Sequence, residues 1–586
     1  MKFSAYCNHN RTPRLCLFRP VTFSVLLIAL IVILGLAAFL FLRPSARIEY
    51  YVSPSGSDSN NGTSSSNAWR TVAKVNASSF NPGDRILFER GGTWRETLNP
   101  RSSGSAGSPI EFGAYGTGGR PIVTAVVTYP AGEWSDQGNS LWAHSQSGHP
   151  SRVKIGGVEY GTTHTSRSNI DDTWRWYWES GTLYVRSSGA PEVEISGGGN
   201  ALRISDVDHV TFTDLDFRGG STCVNVSGSD YLTFRSCTIG DFVGSYGIWS
   251  VNSGNGVVSN CNVDRQDFIM YTWQPDYGGY TSGGQDCISL RDGSSYWDIR
   301  GNYIAGFGHD GVAIGTEYTS GADCIGIQVY KNEFRCGNDY GRAINIHGTY
   351  PGRDCRIYNN YAHDCTEQWQ LSGIDNWVYY NLIDTVRVTL DYGSDHWYQS
   401  GGMAGSDGTC SGLRIFNNTI RNVDGPGIRV KFVWKDPYVE NNILYNTGRE
   451  WRGSTTDYNF YHVGIEVEAS YGGGWVVRTG GTIRNNIVYG TADSSRAIIW
   501  GGASNQGAPV SGKIPPAELN KRSGTNGLVA SGNRFVDPLL RADMKIGAGS
   551  PAVDAGVPHS IAKDFWGTAV PTGRGVDIGA HEWSGR

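Results

Sequence analysis

Three short segments of alternating pattern, QDCISL, HDGVAIG and GRAINIHG, place Asp286, His309–Asp310 and Arg342 at matching positions. In a strand, alternate residues face opposite sides. Taking Ile248, Ile288, Val312, Ile344, Ile428, Ile465 and Ile498 as the inward residues of seven such segments generates outward columns. Two positions before the inward residue come Tyr246, Asp286, Asp310 and Arg342. One position after it come Trp249, Ser289, Ala313, Asn345, Arg429 and Glu466, and three after it Arg291, Gly315, His347, Lys431 and Glu468. Parallel strands stack ~4.8 Å apart, so Asp286, Asp310 and Arg342 are expected in line, with His309 and His347 beside the row. Two adjacent carboxylates repel, and one retaining its proton at neutral pH supplies an acid beside a base. That pairing is what glycoside hydrolysis needs, although ~4.8 Å is shorter than the ~6.5–9.5 Å of an inverting pair. Asp286, Asp310 and His309 are the catalytic candidates. Arg291, Arg342 and His347 are candidates for holding a sugar carboxylate or developing charge. The alternative is an outward Asp–Asp–Arg charge ladder on a solvated or salt-bridged face.

Arg429 and Lys431, beside Glu466 and Glu468, form a second group. It reads as a cross-strand salt-bridge row, or as a further substrate-binding site in which a cation beside a carboxylate suits β-elimination. Long insertions at 264–285, 384–412 and 446–462 carry Trp273, Tyr280, His396, Trp397, Tyr398 and Trp451. Loops rising from one side of a repeat array form groove walls. Their aromatic faces either stack on sugars, Trp397 among them, or pack over the scaffold.

The elements that must position these residues are repeated. LTFRSCTIGDF, GVVSNCNVDRQ, WDIRGNYIAGF, IQVYKNEFRCG, CRIYNNYAHDC, WVYYNLIDTV, LRIFNNTIRNV, YVENNILYNTG and GTIRNNIVYGT each hold an alternating strand, a polar turn residue and a following apolar residue. The register positions are Cys237, Cys261, Asn302, Asn332, Asn360, Asn381, Asn418, Asn442 and Asn486, 21–44 residues apart. A further strand follows each, as in YGIWSV or VGIEVEA. Such a period without helical pattern describes a solenoid of β-coils that must stack to bury their inner faces. The register asparagines are then an amide ladder, and the two cysteines are buried small hydrophobes. Cys324 with Cys355, and Cys336 with Cys365, occupy like positions on neighbouring coils and are disulfide candidates.

With these coils, the opening YYVSPSGSDSNNGTSSSNAWRTVAKVN (50–76) with PGDRILFERGGTW (82–94), and the closing GSPAVDAGVPHSIAKDFWGTAVPTGRGVDIGAHEW (549–583), the chain resembles right-handed parallel β-helix proteins of the pectin-lyase-like superfamily. The resemblance spans nearly all of 49–584 and implies an exported protein acting on polysaccharide. GGQDCISL and GFGHDGVAIGT also look like the Asp-Asp and Gly-His-Gly motifs of the polygalacturonase family, and GIRVKF like its Arg-x-Lys. Carried over by position, that resemblance implies roles for Asp286, His309, Arg429 and Lys431. The sequence departs from it at Gln285, at Asp310 in place of a glycine, in the absence of an Asn-x-Asp on the preceding coil, and in placing Arg429 several coils, ~15–20 Å, beyond Asp310.

Glycine at 80 of 586 residues, 12% aromatics and 18% charged residues exclude a disordered chain or a coiled coil and favour strands and turns. Phe23 to Leu42 is an uncharged apolar run, and residues 1–20 carry four basic residues and no acid. That pattern predicts a transmembrane signal anchor at 23–42, a cytoplasmic tail at 1–22 and a single-pass protein of the cell membrane with its remainder outside, the alternative being a cleaved signal peptide, whose apolar run would be shorter at ~7–15 residues. Residues 48–586 hold 43 basic and 54 acidic residues, a net of −11, so nucleic acid is not an expected partner. The expected partners are a polysaccharide and the membrane, the chain being a monomer. The fold class expected is all-β, a right-handed parallel β-helix with an inserted β-subdomain and one N-terminal transmembrane helix. Residues 48–200 are assigned to the cap, first coils and subdomain, 201–505 to the β-helix core, and 506–586 to the last coils and cap. No cofactor is required by these residues. The run GSDSNNG (56–62) is read either as a capping turn or as a calcium loop lacking a full ligand set. The leading function is glycoside hydrolysis through Asp286 and Asp310, followed by uronate elimination, epimerisation and non-catalytic polysaccharide binding.

Overall fold

The computed structural model describes residues 47–585, apart from 151, 163–165, 173, 197, 242–245, 265–285, 317–320, 337–340, 367–368, 387–401, 431–433, 449–463, 468–480, 491–496, 501–512 and 525–527. The chain divides between Arg47 and Ile48, and everything below concerns the unit from Ile48 onward.

Most coils contribute one strand to each of three long sheets of 14, 13 and 15 strands among the described residues, the third sheet also taking the short second strands Cys324–Ile325, Tyr350–Arg353 and Trp434–Lys435. The coil around Asp310 runs through Asp298–Arg300, Tyr303–Ala305 and Asp310–Thr316, and the next begins at Gln328–Tyr330. What the sequence presents as one strand plus a turn residue is thus two strands meeting at a corner. The corner has a local cause. The residue just before each register position adopts a left-handed conformation, among them Asn260, Gly301, Lys331, Asn359, Tyr380, Asn417, Asn441 and Asn485. Glycine and asparagine adopt it at least cost, which explains the Asn-Asn doublets.

The register asparagines form a continuous buried ladder. Asn302 Nδ2 donates to Asn332 Oδ1 at 2.9 Å, and the same bond runs through Asn360, Asn381, Asn418, Asn442 and Asn486 at 3.0 Å each. It continues to Asn533 and ends on Asn520 Oδ1. Cys261 hands its backbone N–H to Asn302 Oδ1, and Cys237 hands its own to Cys261 Sγ, so both cysteines occupy ladder register as buried groups. Inside the bore, Ile248, Ile288, Val312 and Ile344 stack in register and are fully buried. Phe112, Phe212 and Phe234 stack face to face above them on the first sheet.

Between the coil strands Ile122–Thr124 and Leu202–Ser205 the chain leaves the solenoid to build a small, mainly antiparallel subdomain of two sheets. Trp134, Val153, Trp176, Leu183, Val185 and Val193 form its own core, and Arg152 ties it to Asp241 on the solenoid at 2.7 Å. The closing segment folds back over the outer faces of late coils. There Asn417 donates to the carbonyls of Asp577 and Gly579, and Tyr358, Tyr379, Phe416 and His559 stack in one column. In the run at 56–62 the Asp58 carboxylate accepts from Arg70 N, Thr71 N and Thr71 Oγ1, tying that turn to the start of the helix Val72–Asn76.

One cysteine pair is bonded, Cys336 to Cys365. The other is not: Cys324 Sγ points to Leu290 O and Cys355 Sγ to Arg353 O, both as buried thiols.

The expected membrane anchor is corrected. Among the described residues no helix is long and apolar enough to cross a membrane. The α-helices there are Val72–Asn76 and Pro516–Lys521, of 5 and 6 residues, against about 20 needed for a bilayer core. Residues 23–42 themselves lie outside the described residues. The fold class of the described residues is therefore all-β, a parallel β-helix with a small antiparallel subdomain, and no transmembrane helix is found among them. The membrane partner, the signal anchor and the single-pass cell-membrane localisation lose their support with it.

Asn381→Ala removes a rung: Asn360 N and Nδ2 lose the acceptor Asn381 Oδ1, and Asn418 Oδ1 keeps only the backbone N–H of residue 381 as donor. It is expected to lower stability by about 1–3 kcal/mol in chemical denaturation, whereas an exposed Ser→Ala change is expected to be neutral. Replacing both Cys336 and Cys365 by serine opens a loop of sequence separation 29 and is expected to cost roughly 3–4 kcal/mol on the same assay.

Candidate active site

The third sheet carries the site. Asp286 and Asp310 each open a strand, Asp286–Arg291 and Asp310–Thr316, and Arg342 opens the next, Arg342–Ile346. Asp310 and Arg342 are register partners, while Asp286 is the partner of Tyr246 on the coil before. The strands flanking 265–285, 387–401 and 449–463 place the ends of all three segments at the corner between the second and third sheets. The three site residues stand at that corner.

His309 Nδ1 donates to Asp286 Oδ1 and to Asp310 Oδ2, both at 2.9 Å. Asp310 Oδ1 accepts from Arg342 Nε at 2.8 Å, and Asp310 Oδ2 also accepts from Asn345 Nδ2 at 2.7 Å. Arg342 donates through Nη1 to Gln370 Oε1 and through Nη2 to His309 Nε2. Asp286 Oδ2 accepts from Ser289 Oγ at 3.0 Å and from Arg291 Nη2 at 3.2 Å. Arg291 also donates through Nε to Ser289 Oγ, and through Nη1 to Gly315 O and His347 Nε2. Its guanidinium thus crosses the intervening coil to reach His347. Gly315 lies at φ +114°, and a Cβ there would stand 2.1 Å from His347 O, so the close approach of these backbones requires glycine.

The columns face away from the bore, as expected, but they are not a solvated face. Asp286 is 1% exposed and Asp310 0%, whereas the His309 side chain is 37% exposed. Burial works against charge on His309. The Asp310 charge and the hydrogen bonds to Asp286 and Asp310 outweigh it and raise the pKa to about 10, with Arg342 opposing. A guanidinium donor and a proton cannot share Nε2, so the imidazolium forms when Arg342 draws off that atom. For Asp310, burial alone would favour the acid, but the charges of Arg342 and His309 hold the carboxyl far below the usual range. Asp310 is therefore an ionised anchor. Asn345 Oδ1 is buried with no donor, an acceptor left unsatisfied beside the pair.

One ligand atom each from Asp286, His309 and Asp310 lies within 4.8 Å of the others, close enough to surround a cation. Their oxygens already accept from protein N–H and O–H groups, and two guanidinium groups adjoin. That donor set fits an internally compensated charge network better than a metal centre.

Six predicted residues thus come together: Asp286, His309, Asp310, Arg291, Arg342 and His347. Arg429 does not join them. It is buried on Ile428–Val430, four strands beyond Asp310 in the third sheet, and is in register with Glu466. Lys431 and Trp397 lie outside the described residues, as do Trp273, Tyr280, His396, Tyr398, Trp451 and Glu468. Ser289, Asn345 and Gln370 were not predicted as site residues. The first two stand in the outward columns, but Gln370 belongs to Trp369–Ile374, a strand with Trp369 at the inward position that Ile288, Val312 and Ile344 hold on the coils before it.

The family described as "Right handed beta helix region" matches residues 160–285 and 200–382. The domain is a right-handed parallel β-helix. It resembles the polysaccharide-active proteins of the pectin-lyase-like superfamily. A lacto-N-biosidase of Bifidobacterium longum subsp. longum is 24% identical over 496 residues, 71% of this chain but only 30% of that protein's length. Among solved structures, the GH136 lacto-N-biosidase from Eubacterium ramulus has a TM-score of 0.39 at 15% identity, covering 83% of this chain and 68% of that one. XylC in complex with xylose has a TM-score of 0.48 at 11% identity, covering 91% and 98%. The PL6 alginate lyase AlyGC has a TM-score of 0.44 at 12% identity, covering 85% and 54%.

A raised pKa on His309 stabilises the fold fully below its unfolded value of about 6.5 and loses that contribution as pH rises through about 10. The Asp310 contribution is present above about 3.9 and is lost only in strong acid. The melting-temperature gap between the wild type and His309→Gln is therefore expected to be widest between about pH 4 and 6.5 and to close towards pH 10. A gap independent of pH would contradict the Asp–His–Asp assignment.

Proposed function

We propose that this chain is a carbohydrate-active enzyme that hydrolyses a glycosidic bond of a neutral glycan lying over the third sheet. The observation that carries the reading is the convergence of two buried carboxylates from successive coils on one nitrogen of a half-exposed histidine. His309 is the member of the cluster that meets solvent, so its Nε2–H protonates the leaving oxygen as the anomeric C–O bond breaks. Asp286 attacks the anomeric carbon and forms a glycosyl ester, Arg291 having moved from its oxygen. Water, deprotonated by the now neutral His309, then cleaves that ester and restores both groups. Asp310 stays ionised throughout and stabilises the charge on His309 and on the oxocarbenium-like transition state. Two successive displacements at the anomeric carbon, first by Asp286 and then by water, give net retention of configuration.

Elimination on a uronate polymer is the second reading, favoured by the gathering of Arg291, Arg342 and His309. Against it, Arg291 and Arg342 each keep Nε and Nη1 on protein acceptors even when Nη2 is released, so neither presents the two-nitrogen fork that holds a substrate carboxylate. Calcium belongs to neither reaction as drawn.

The test is a panel of neutral and acidic glycans scored for new reducing ends, for unsaturated products and, by NMR, for the first-formed anomer. Retained product from a neutral glycan is expected, with Asp286→Asn and His309→Gln each lowering kcat by about 10²–10⁴. Unsaturated product would transfer the assignment to elimination. Glycan binding without cleavage, unaffected by Asp286→Asn, would make the protein a binding module.

A further inference from the structure

The coil immediately N-terminal to Asp286 carries an aromatic pair that the reaction above does not use. Tyr246 and Trp249 both belong to Tyr246–Val251 and face outward, half-buried, with ring centroids 4.1 Å apart at 41°. Tyr246 is the register partner of Asp286, and Trp249 of Ser289. The Arg291 guanidinium that binds Asp286 also stands 5.9 Å from the Trp249 ring. Along the outward column Arg203, Asn225, Trp249, Ser289, Ala313, Asn345 and Gln370, traced through the register, Trp249 is the sole aromatic side chain. The coils on its C-terminal side present small or amide side chains there, so the column falls from a raised aromatic step to a low floor beside the carboxylates.

We propose that Tyr246 and Trp249 form a stacking platform for a neutral pyranosyl unit, adjoining the unit whose bond is cleaved. The electron-rich face of an aromatic ring attracts the C–H-lined face of a pyranose and excludes water from it, while a few polar groups nearby fix orientation. A pyranose unit is comparable in length to the ~4.8 Å step between coils. A glycan running along the solenoid therefore sets one ring on Trp249 and the next over Asp286 and His309. The neutral class follows from the compensated guanidinium groups of Arg291 and Arg342. The platform depends on the hydrolase reading for what happens to the neighbouring unit, but not for binding.

The full chain carrying Asp310→Asn, to slow turnover, is titrated calorimetrically with the β-1,4-linked hexasaccharides of glucose, xylose and galactose and with hexagalacturonic acid. Saturation-transfer NMR follows the ring-face protons. A neutral hexasaccharide is expected to bind, with Trp249→Ala weakening it about tenfold or more and Trp249→Phe largely restoring it, at unchanged melting temperature. An unchanged dissociation constant in Trp249→Ala overturns the platform, as does failure of all four probes to bind or preferential binding of hexagalacturonic acid. Trp249-dependent binding in a wild-type chain that cleaves nothing sustains the platform and removes the hydrolase reading. Cleavage with an unaltered KM in Trp249→Ala does the reverse.

Discussion

The stacking of coils at a fixed register is the constraint on which everything else in this protein depends, and buried amide-to-amide hydrogen bonds enforce it. Each ladder asparagine accepts through Oδ1 from the one before it and donates through Nδ2 to the one after it, from Asn302 to Asn533. A slip of one residue would strand a column of buried amides and turn the apolar inner faces outward. Because the register cannot slip, residues separated by 23 to 56 positions meet at hydrogen-bonding distance, as His309 does with Asp286 and His347 with Arg291.

The site is a second network built on that scaffold, and it works by compensation. Two carboxylates buried side by side would be prohibitive alone. Arg342 and Arg291 each hold one of them, Asn345 and Ser289 supply further donors, and His309 bridges the two. Both aspartates are buried, whereas the imidazole side chain that joins them is 37% exposed. The same compensation engages both arginines on protein acceptors. Beside it the Tyr246–Trp249 step supplies the apolar surface that the charged cluster lacks.

Much of this was legible as periodicity. The ladder positions, the inward column from Ile248 to Ile344 and the alignment of Asp286, Asp310 and Arg342 all follow from matching short segments on one inward residue. Asn533 escaped because 47 residues separate it from Asn486, with a helix between. Gln370 escaped because its strand does not share its neighbours' wording. The disulfide candidates show the limit of positional matching: Cys336 and Cys365 are joined, whereas Cys324 and Cys355, equally alike in coil position, direct their thiols to carbonyls. The apolar run at 23–42 lies outside the described residues, and among those no helix is long and apolar enough to cross a membrane.

The sequence alone determined the repeat, the coil and the columns, because strand alternation and left-handed corner residues are local properties written in residue type. Burial of Asp286 and Asp310, the sharing of one histidine nitrogen between them, the engagement of both guanidinium groups and the separation of Arg429 from the cluster were decided only by the tertiary structure. Those features depend on side-chain direction and on how many coils intervene, and a one-dimensional pattern encodes neither.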